Sequence, residues 1–378
     1  MARHRVAIIG CGVGRRHMEE GYLPHADKFE VVLACDLDAA RLQSFLADYG
    51  IPEGTASFAE VVARPDIDII DICTPPLVHR DQVVSALEAG KEVVCEKPLV
   101  GCLADMDVVM QAAARARGRV MPIFQYRYGD GFQQAKHLVD AGVAGKPYLA
   151  TVETTWKRGA AYYNVPWRGR YDTELGGTLL AHAIHPHDLL CELMGPVATV
   201  FARAAARVNR IEVEDTAVAS LVMRNGALVS LAATVGSQHE ITRLRLCYEH
   251  VTFESSLGPY NPGAGPWTIT PADAAAASRI EAALAGWQAV PPRFTGQMAD
   301  YHRALTGGGS LPVTLEDARR ALELVTALYH SADTGQEVSL PIPASHPKYN
   351  DWRPERLKPR AAGAEGQEAS GQAVRLAG

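Results

Sequence analysis

This chain of 378 residues lacks the features that mark several broad classes. No apolar run approaches the ~20 residues needed to cross a bilayer, so no membrane span is expected. There is no long basic run and the net charge is −6. Nucleic acid and anionic lipid both demand clustered Lys and Arg, so neither is an expected partner. The seven cysteines are scattered, odd in number and never spaced C-x-x-C, which supports neither a disulfide framework nor a Cys-type zinc site. The start, MARHRVAIIG, runs from two basic residues straight into a strand-like stretch, without the long apolar core and small-residue cleavage site of a signal peptide. A cytoplasmic location is expected.

What is present is the balance of a soluble globular protein, 47% apolar and 21% charged. The length suggests about two to three domains. The first third alternates Val/Ile-rich runs (RVAIIG, EVVLACD, DIIDICTP, KEVVCEKP, RVMPIFQ) with helical patterns such as DAARLQSFLADYG. Near-continuous apolar strands, each followed by a helix, signal a parallel sheet covered on both faces. After about residue 145 strand runs follow one another with few helices, and Asn225-Gly226 carries a hairpin signal. That pattern implies an open, mostly antiparallel sheet. The expected division is residues 1–123, then 124–345, then a C-terminal extension over 346–378, mobile from about 360.

The first strand runs into VAIIGCGVGRRH, which places Gly10, Gly12 and Gly14 before a helix. Glycines there let the backbone turn tightly and approach a pyrophosphate seated on helix N–H groups. Gly14 stands one residue earlier than in G-x-G-x-x-G, whose sixth position is Arg15. Asp36 follows Gly14 by 22 residues, close to the ~20 expected for a carboxylate on the adenine ribose. That carboxylate repels a 2′-phosphate and favours NAD over NADP, whereas Arg15, Arg16 and Arg41 are cations that could accommodate one. The expected cofactor contacts are Gly10, Cys11, Gly12, Val13, Gly14, Arg15, Asp36, Leu37 and Arg41, then Thr74 and Pro75 at the fourth strand's end. His79, which also suits the start of a helix, joins Glu96 and Lys97 to complete the set.

Taken with CTPPLVHRDQVVSALEAGKEVVCEKPL, GGTLLAHAIHPHD and VTLEDARRALELVTALYHSADTGQEVSLPI, the glycine motif makes the chain resemble the Gfo/Idh/MocA family of oxidoreductases from about residue 4 to residue 342. The resemblance implies an α/β Rossmann domain followed by an α+β domain with a large open sheet. It also implies a homodimer or homotetramer that buries that sheet, and a sugar, cyclitol or related polyol as substrate. It gives Lys97, in Glu96-Lys97-Pro98, a catalytic part in moving the hydroxyl proton beside the nicotinamide. Two other activities come with the family: a lyase or glycosidase that uses bound NAD for transient oxidation, and a non-catalytic nucleotide or sugar sensor.

The family helix usually carries an acid at the position of Ala181, so this chain departs from the usual Lys-Asp-His set. On one continuous helix, Ala181, His185 and Asp188 share a face, His182 lies beside it and His187 points away. Three histidines then do not converge on a metal, and none is expected. His185 is expected to touch the reacting hydroxyl and to titrate near neutral pH. His182 is expected to replace the missing acid as a substrate contact or relay, and Asp188 to orient His185 or hold the helix. The aromatic and basic stretch upstream offers Lys157, Arg158, Tyr163, Trp167 and Arg168 as substrate contacts, with Arg127 lining the cleft.

Overall fold

The structure is a computed structural model that describes residues 3–354 and 357. Six short strands form a parallel sheet: β1 (His4–Ile9), β2 (Phe29–Cys35), β3 (Glu53–Thr55), β4 (Ile69–Ile72), β5 (Glu92–Cys95) and β6 (Val120–Pro122), in the order β3-β2-β1-β4-β5-β6. Val6, Ile8, Ile69, Ile70, Ile72 and Val93 are fully enclosed. β-Branched side chains suit a pleated surface covered on both faces. The order reverses between β1 and β4, and the crevice at that reversal is where doubly wound sheets bind ligands.

The second sheet has eight strands: β7 (Pro147–Lys157), β8 (Val197–Ala205), β9 (Thr216–Met223), β10 (Leu228–Thr234), β11 (Gly236–Tyr248), β12 (Val251–Glu254), β13 (Thr268–Pro271) and β14 (Val338–Ser339). Their order is β13-β12-β11-β7-β10-β9-β8-β14. Every neighbouring pair is antiparallel except β7 with β10. The Asn225-Gly226 turn joins β9 to β10, with Gly226 at φ 88°.

Two features tie the halves together. Helix Arg293–Gly307 lies against the first helical segment of the Rossmann domain: Phe294 meets the ring of His17, and Gln297 donates to the Pro122 carbonyl at 2.8 Å. The stretch through Trp352 also packs back onto the body. The Tyr349 carbonyl accepts from the Ala104 N–H, and the Trp352 indole donates to Thr326 Oγ1 at 2.9 Å. The first nine residues of the expected extension are thus anchored. The expected mobility from about residue 360 lies outside the described residues.

The single long helix expected over GGTLLAHAIHPHDLL is a correction. A short helix, Thr178–Ala181, ends in a turn at His182 and Ala183, and a second helix runs Ile184–Met194. Pro186 sits in the first turn of that second helix, where its missing N–H costs nothing.

Candidate active site

A cleft of about 830 Å³ opens along the carboxyl ends of β1, β2, β4 and β5 and is closed on its far side by Tyr162, Trp167, Arg168, Glu174 and Ala181. At its floor Gly10 takes φ 96°, a conformation open mainly to glycine. Gly12 and Val13 line the cleft, and as first-turn residues their N–H groups have no intrahelical acceptor. A Cβ on Gly12 would meet nothing within 4 Å, whereas one on Gly14 would strike Ile8 Cγ2 at 2.6 Å. Gly14 therefore lets the helix lie close on β1, and Gly12 leaves room for a phosphate. The residues present fit a dinucleotide.

Asp36, at the tip of β2, is buried, and its Oδ2 accepts from the Cys11 N–H at 2.9 Å. Its Oδ1 accepts from the Asp38 N–H at 2.9 Å, and Arg41 reaches both oxygens at 3.2 and 3.3 Å. Asp36, Leu37, Arg41, Thr74 and Pro75 all lie on the cleft wall, as do Glu96 and Lys97. Cys11 is enclosed and outside the cleft lining; burial, then the nearby Asp36, pushes its thiol up to about 12, and its backbone N–H holds Asp36. Asp36→Ala is expected to weaken NAD binding about 10- to 100-fold, the loss of hydrogen bonds to a charged acceptor, and to leave NADP binding unchanged or stronger. Fluorescence titration with each nucleotide checks this, and an unchanged preference would remove Asp36 from the ribose site.

Two expected cofactor contacts are corrected. Arg15 turns away to Asp48 at 2.7 Å and Ser44 at 2.8 Å, over the rings of Phe45 and Tyr49. His79 is fully enclosed beneath the loop, with its ring nitrogens 3.0 Å from the Pro98 carbonyl and 2.8 Å from that of Thr74. It braces the two segments that carry Thr74 and Lys97.

Lys97 ends β5, and its Nζ donates across the cleft to the Ala181 carbonyl at 2.9 Å. At Ala181 the acceptor offered to the ammonium is a backbone oxygen. Burial lowers the proton affinity of Lys97, Glu96 and Glu174 raise it, and Arg168 lowers it. Glu174 is buried, accepts from Arg168 at 3.2 Å, and is pushed above the usual carboxylate range by burial. Nothing in the local sequence around Glu174 singled it out; its place on the cleft wall comes from the fold.

The histidines do not act together. His182 lies outside the cleft lining, edge-on to Trp156 at 5.3 Å, with both ring nitrogens enclosed and unpartnered. His185 stacks on Tyr126 at 4.3 Å. Burial first, then the charge of Lys97, holds both rings well below the ordinary histidine value. The expectation that His185 titrates near neutral pH is therefore corrected: a buried ring beside a cation stays neutral. His187 is enclosed, and burial lowers it to about 3.

Asp188 does not orient His185. It receives a two-pronged bond from Arg127, at 2.5 and 2.7 Å, and Arg127 also reaches Glu192 and Asp317 at 3.3 Å. Arg127 is thus a buried clamp rather than a cleft residue. Lys157 points to Gln238 at 2.9 Å on the exposed side. Arg158 lies over Trp156 and Tyr162 and bonds Glu240 at 2.7 Å, and Tyr163 sits behind Gly169. Of the five upstream candidates only Trp167 and Arg168 line the cleft, joined by Tyr162, which sequence reasoning passed over.

A family model described as "Oxidoreductase family, NAD-binding Rossmann fold" matches residues 4–124, and one for the "GFO/IDH/MocA C-terminal domain" matches residues 132–254. The chain is 31% identical over 229 residues to the uncharacterized oxidoreductase YrbE of Bacillus subtilis, a match spanning 58% of this chain and 64% of that one. It is 27% identical to D-apiose dehydrogenase of Paraburkholderia graminis over 89% of this chain and 90% of that one. Among solved structures, the WlbA dehydrogenase of Bordetella pertussis in complex with NADH and UDP-GlcNAcA superimposes with a TM-score of 0.80 at 27% identity, covering 91% of this chain and 99% of that one. The glycine cradle, the acid at the tip of β2, the lysine at the end of β5 and the two matched domains together identify the chain as a member of the Gfo/Idh/MocA family of NAD-binding oxidoreductases.

Proposed function

We propose that this chain is an NAD-dependent dehydrogenase that oxidises a hydroxyl-bearing carbon of a sugar, cyclitol or sugar derivative, with Lys97 taking up the hydroxyl proton. The observation that carries this reading is the Lys97 ammonium on the cleft wall, with its proton affinity lowered by burial. A proton acceptor works best when its pKa lies near the working pH. Gly12, Val13 and Asp36 would hold the dinucleotide, and the nicotinamide, when bound, supplies the hydride acceptor. Tyr162 and Trp167 offer flat faces to sugar C–H bonds, and Arg168 offers donors to hydroxyls or acids. Neutral His182 and His185 would act as hydrogen-bonding groups behind this wall rather than as titrating bases.

The test is the absorbance of reduced nicotinamide when the protein meets NAD and a panel of cyclitols, aldoses, anhydrosugars and UDP-linked sugars. A rise with one subset supports the dehydrogenase and names its substrate class. Silence across the panel, with NAD binding established, would transfer the assignment to a lyase or glycosidase that oxidises only transiently.

The outer face of the second sheet supports self-association. Leu149, Leu228 and Val222 lie in register on adjacent strands, with Phe201 and Val218 in the next rows. Phe201 is 38% exposed, Val218 53% and Leu228 55%, an apolar patch of the kind that marks an interface. The proposed occupant is a second copy of this chain. Sedimentation is expected to give a dimer or tetramer, and a monomer at micromolar concentration would end that part of the reading. All seven cysteines are free and, among the described residues, no helix is long and apolar enough to cross a membrane. Both suit the proposed cytoplasmic setting, where thiols stay reduced.

A further inference from the structure

Directly beneath Lys97 lies a buried polar chain that the proposed reaction does not use. His17, the residue that ends GVGRRH, is fully enclosed. Its Nδ1 stands 2.8 Å from Asp71 Oδ2, and its Nε2 stands 3.0 Å from Glu96 Oε1. The Tyr22 hydroxyl also donates to Asp71 Oδ2 at 2.8 Å, and Cys73 Sγ lies 3.4 Å from Nδ1. On the far side, Glu96 Oε2 accepts the backbone N–H of Lys97 at 2.9 Å.

A ring whose two nitrogens face two carboxylates satisfies both only as an imidazolium, because a neutral ring would turn a lone pair on one of them. In a fully enclosed site that mismatch is costly. Burial disfavours the charged ring, but Asp71 and Cys73 outweigh it and hold His17 well above the ordinary histidine value. Burial also pushes Glu96 upward, yet the His17 bond and charge, with Lys97, hold it down at about 2. His17 Nδ1 stands 2.8 Å from Asp71 Oδ2 and 3.1 Å from Oδ1, hydrogen-bond distances that put ring and carboxylate in direct contact.

We propose that His17 is a positioning residue: clamped between Asp71 and Glu96, it keeps Glu96 as a fixed negative charge under Lys97 and so governs how readily Lys97 takes and gives a proton. The proposal rests on Lys97 being the proton acceptor of the reaction proposed above. His17 acts through Glu96, not directly. The charged or titratable groups that bear on Lys97 are Glu96, Glu174 and Arg168, with His182 and His185 nearby.

The sign of the effect separates the alternatives. With His17 replaced by Gln, Glu96 loses its buried cation and shares its site with Asp71, so burial is no longer opposed and Glu96 stays protonated through the range in which Lys97 titrates. Lys97 then loses its nearest anion and gives up its proton more easily. Had Glu96 stayed ionised without His17, Lys97 would keep its proton affinity or gain some.

The experiment is competitive acetylation of the full-length protein with acetic anhydride across a pH series, reading Lys97 by peptide mass spectrometry. It needs no substrate, so an error in the substrate class leaves it intact. In His17→Gln the pH of half-reactivity at Lys97 is expected to fall by about one pH unit. Glu96→Gln is expected to give the same fall, and the double variant no further one, because the two residues act in series. An unmoved or raised value in His17→Gln, or a double variant that falls beyond Glu96→Gln, overturns the proposal. If His17→Gln does not fold, Asp71→Asn serves, since losing that anion lets burial discharge the ring and should move Lys97 the same way. A lower melting temperature with Lys97 unmoved would mean a structural role only, and would also overturn it.

Discussion

Lys97→Met is expected to lower kcat about 10²–10⁴-fold, the usual contribution of a positioned proton-transfer group, while the Kd for NAD changes by less than about threefold. Met keeps most of the apolar stem that packs in the cleft and removes only the amine. Lys97→Arg should not restore the rate, because a guanidinium does not release its proton near neutral pH. The pH profile carries the second half of the prediction. Oxidation needs the free amine, and burial lowers the proton affinity of Lys97. The wild-type rate should therefore climb with pH and level off below the ordinary lysine value, and that limb should vanish in Lys97→Met. Steady-state kinetics on the substrate found by the panel checks both parts. A near-normal kcat would remove Lys97 from the chemistry.

Arg127→Met is expected to destabilise the protein by about 3–5 kcal/mol, the cost of breaking a buried ion pair from one side. Arg127 is 5% exposed and is the cation on which Asp188, Glu192 and Asp317 converge. Its loss leaves Asp188 buried without the cation it pairs with, while Arg320 still reaches Glu192 and Asp317, and Asp317 also caps helix Leu315–Thr334. The loss should depend on pH. Burial raises the Asp188 carboxyl to about 6 even with Arg127 present, and removing the guanidinium raises it further. A carboxyl whose folded value exceeds its unfolded one loses stability as pH rises from the unfolded value through the folded one. In the variant that window extends to higher pH, so the deficit should be larger near about pH 8 than near about pH 5. Urea unfolding at the two pH values measures it, and equal, small deficits would mean that the carboxylates find water instead.

The parallel sheet was legible because its strands are runs of β-branched residues, each followed by a helical pattern, and burial on both faces demands that. The cofactor crevice was legible from Gly12 and Asp36, which their spacing sets at strand ends, and Lys97 was picked out there by the family resemblance. Arg15 was misread because sequence proximity to the glycines says nothing of rotamer, and Asp48 with the rings of Phe45 and Tyr49 draws it away. The histidine segment was misread because periodicity assumes one continuous helix, and the turn at His182 and Ala183 breaks the register. Buried networks were the least legible. His17 finds its partners 54 and 79 positions away, and Arg127 finds Asp188 61 positions away. No local pattern encodes such meetings.

The hydrogen bond from Lys97 Nζ to the Ala181 carbonyl runs between a strand end of the first domain and a helix end of the second. It is a tie between the halves as well as the partner of the amine proposed above to take the hydroxyl proton. Lys97 carries three donors, so the amine can meet a substrate hydroxyl while its bond to Ala181 persists. Under the proposed reaction that bond fixes the amine's aim from the second lobe, and an alcohol is selected by whether its hydroxyl meets an amine already held in place.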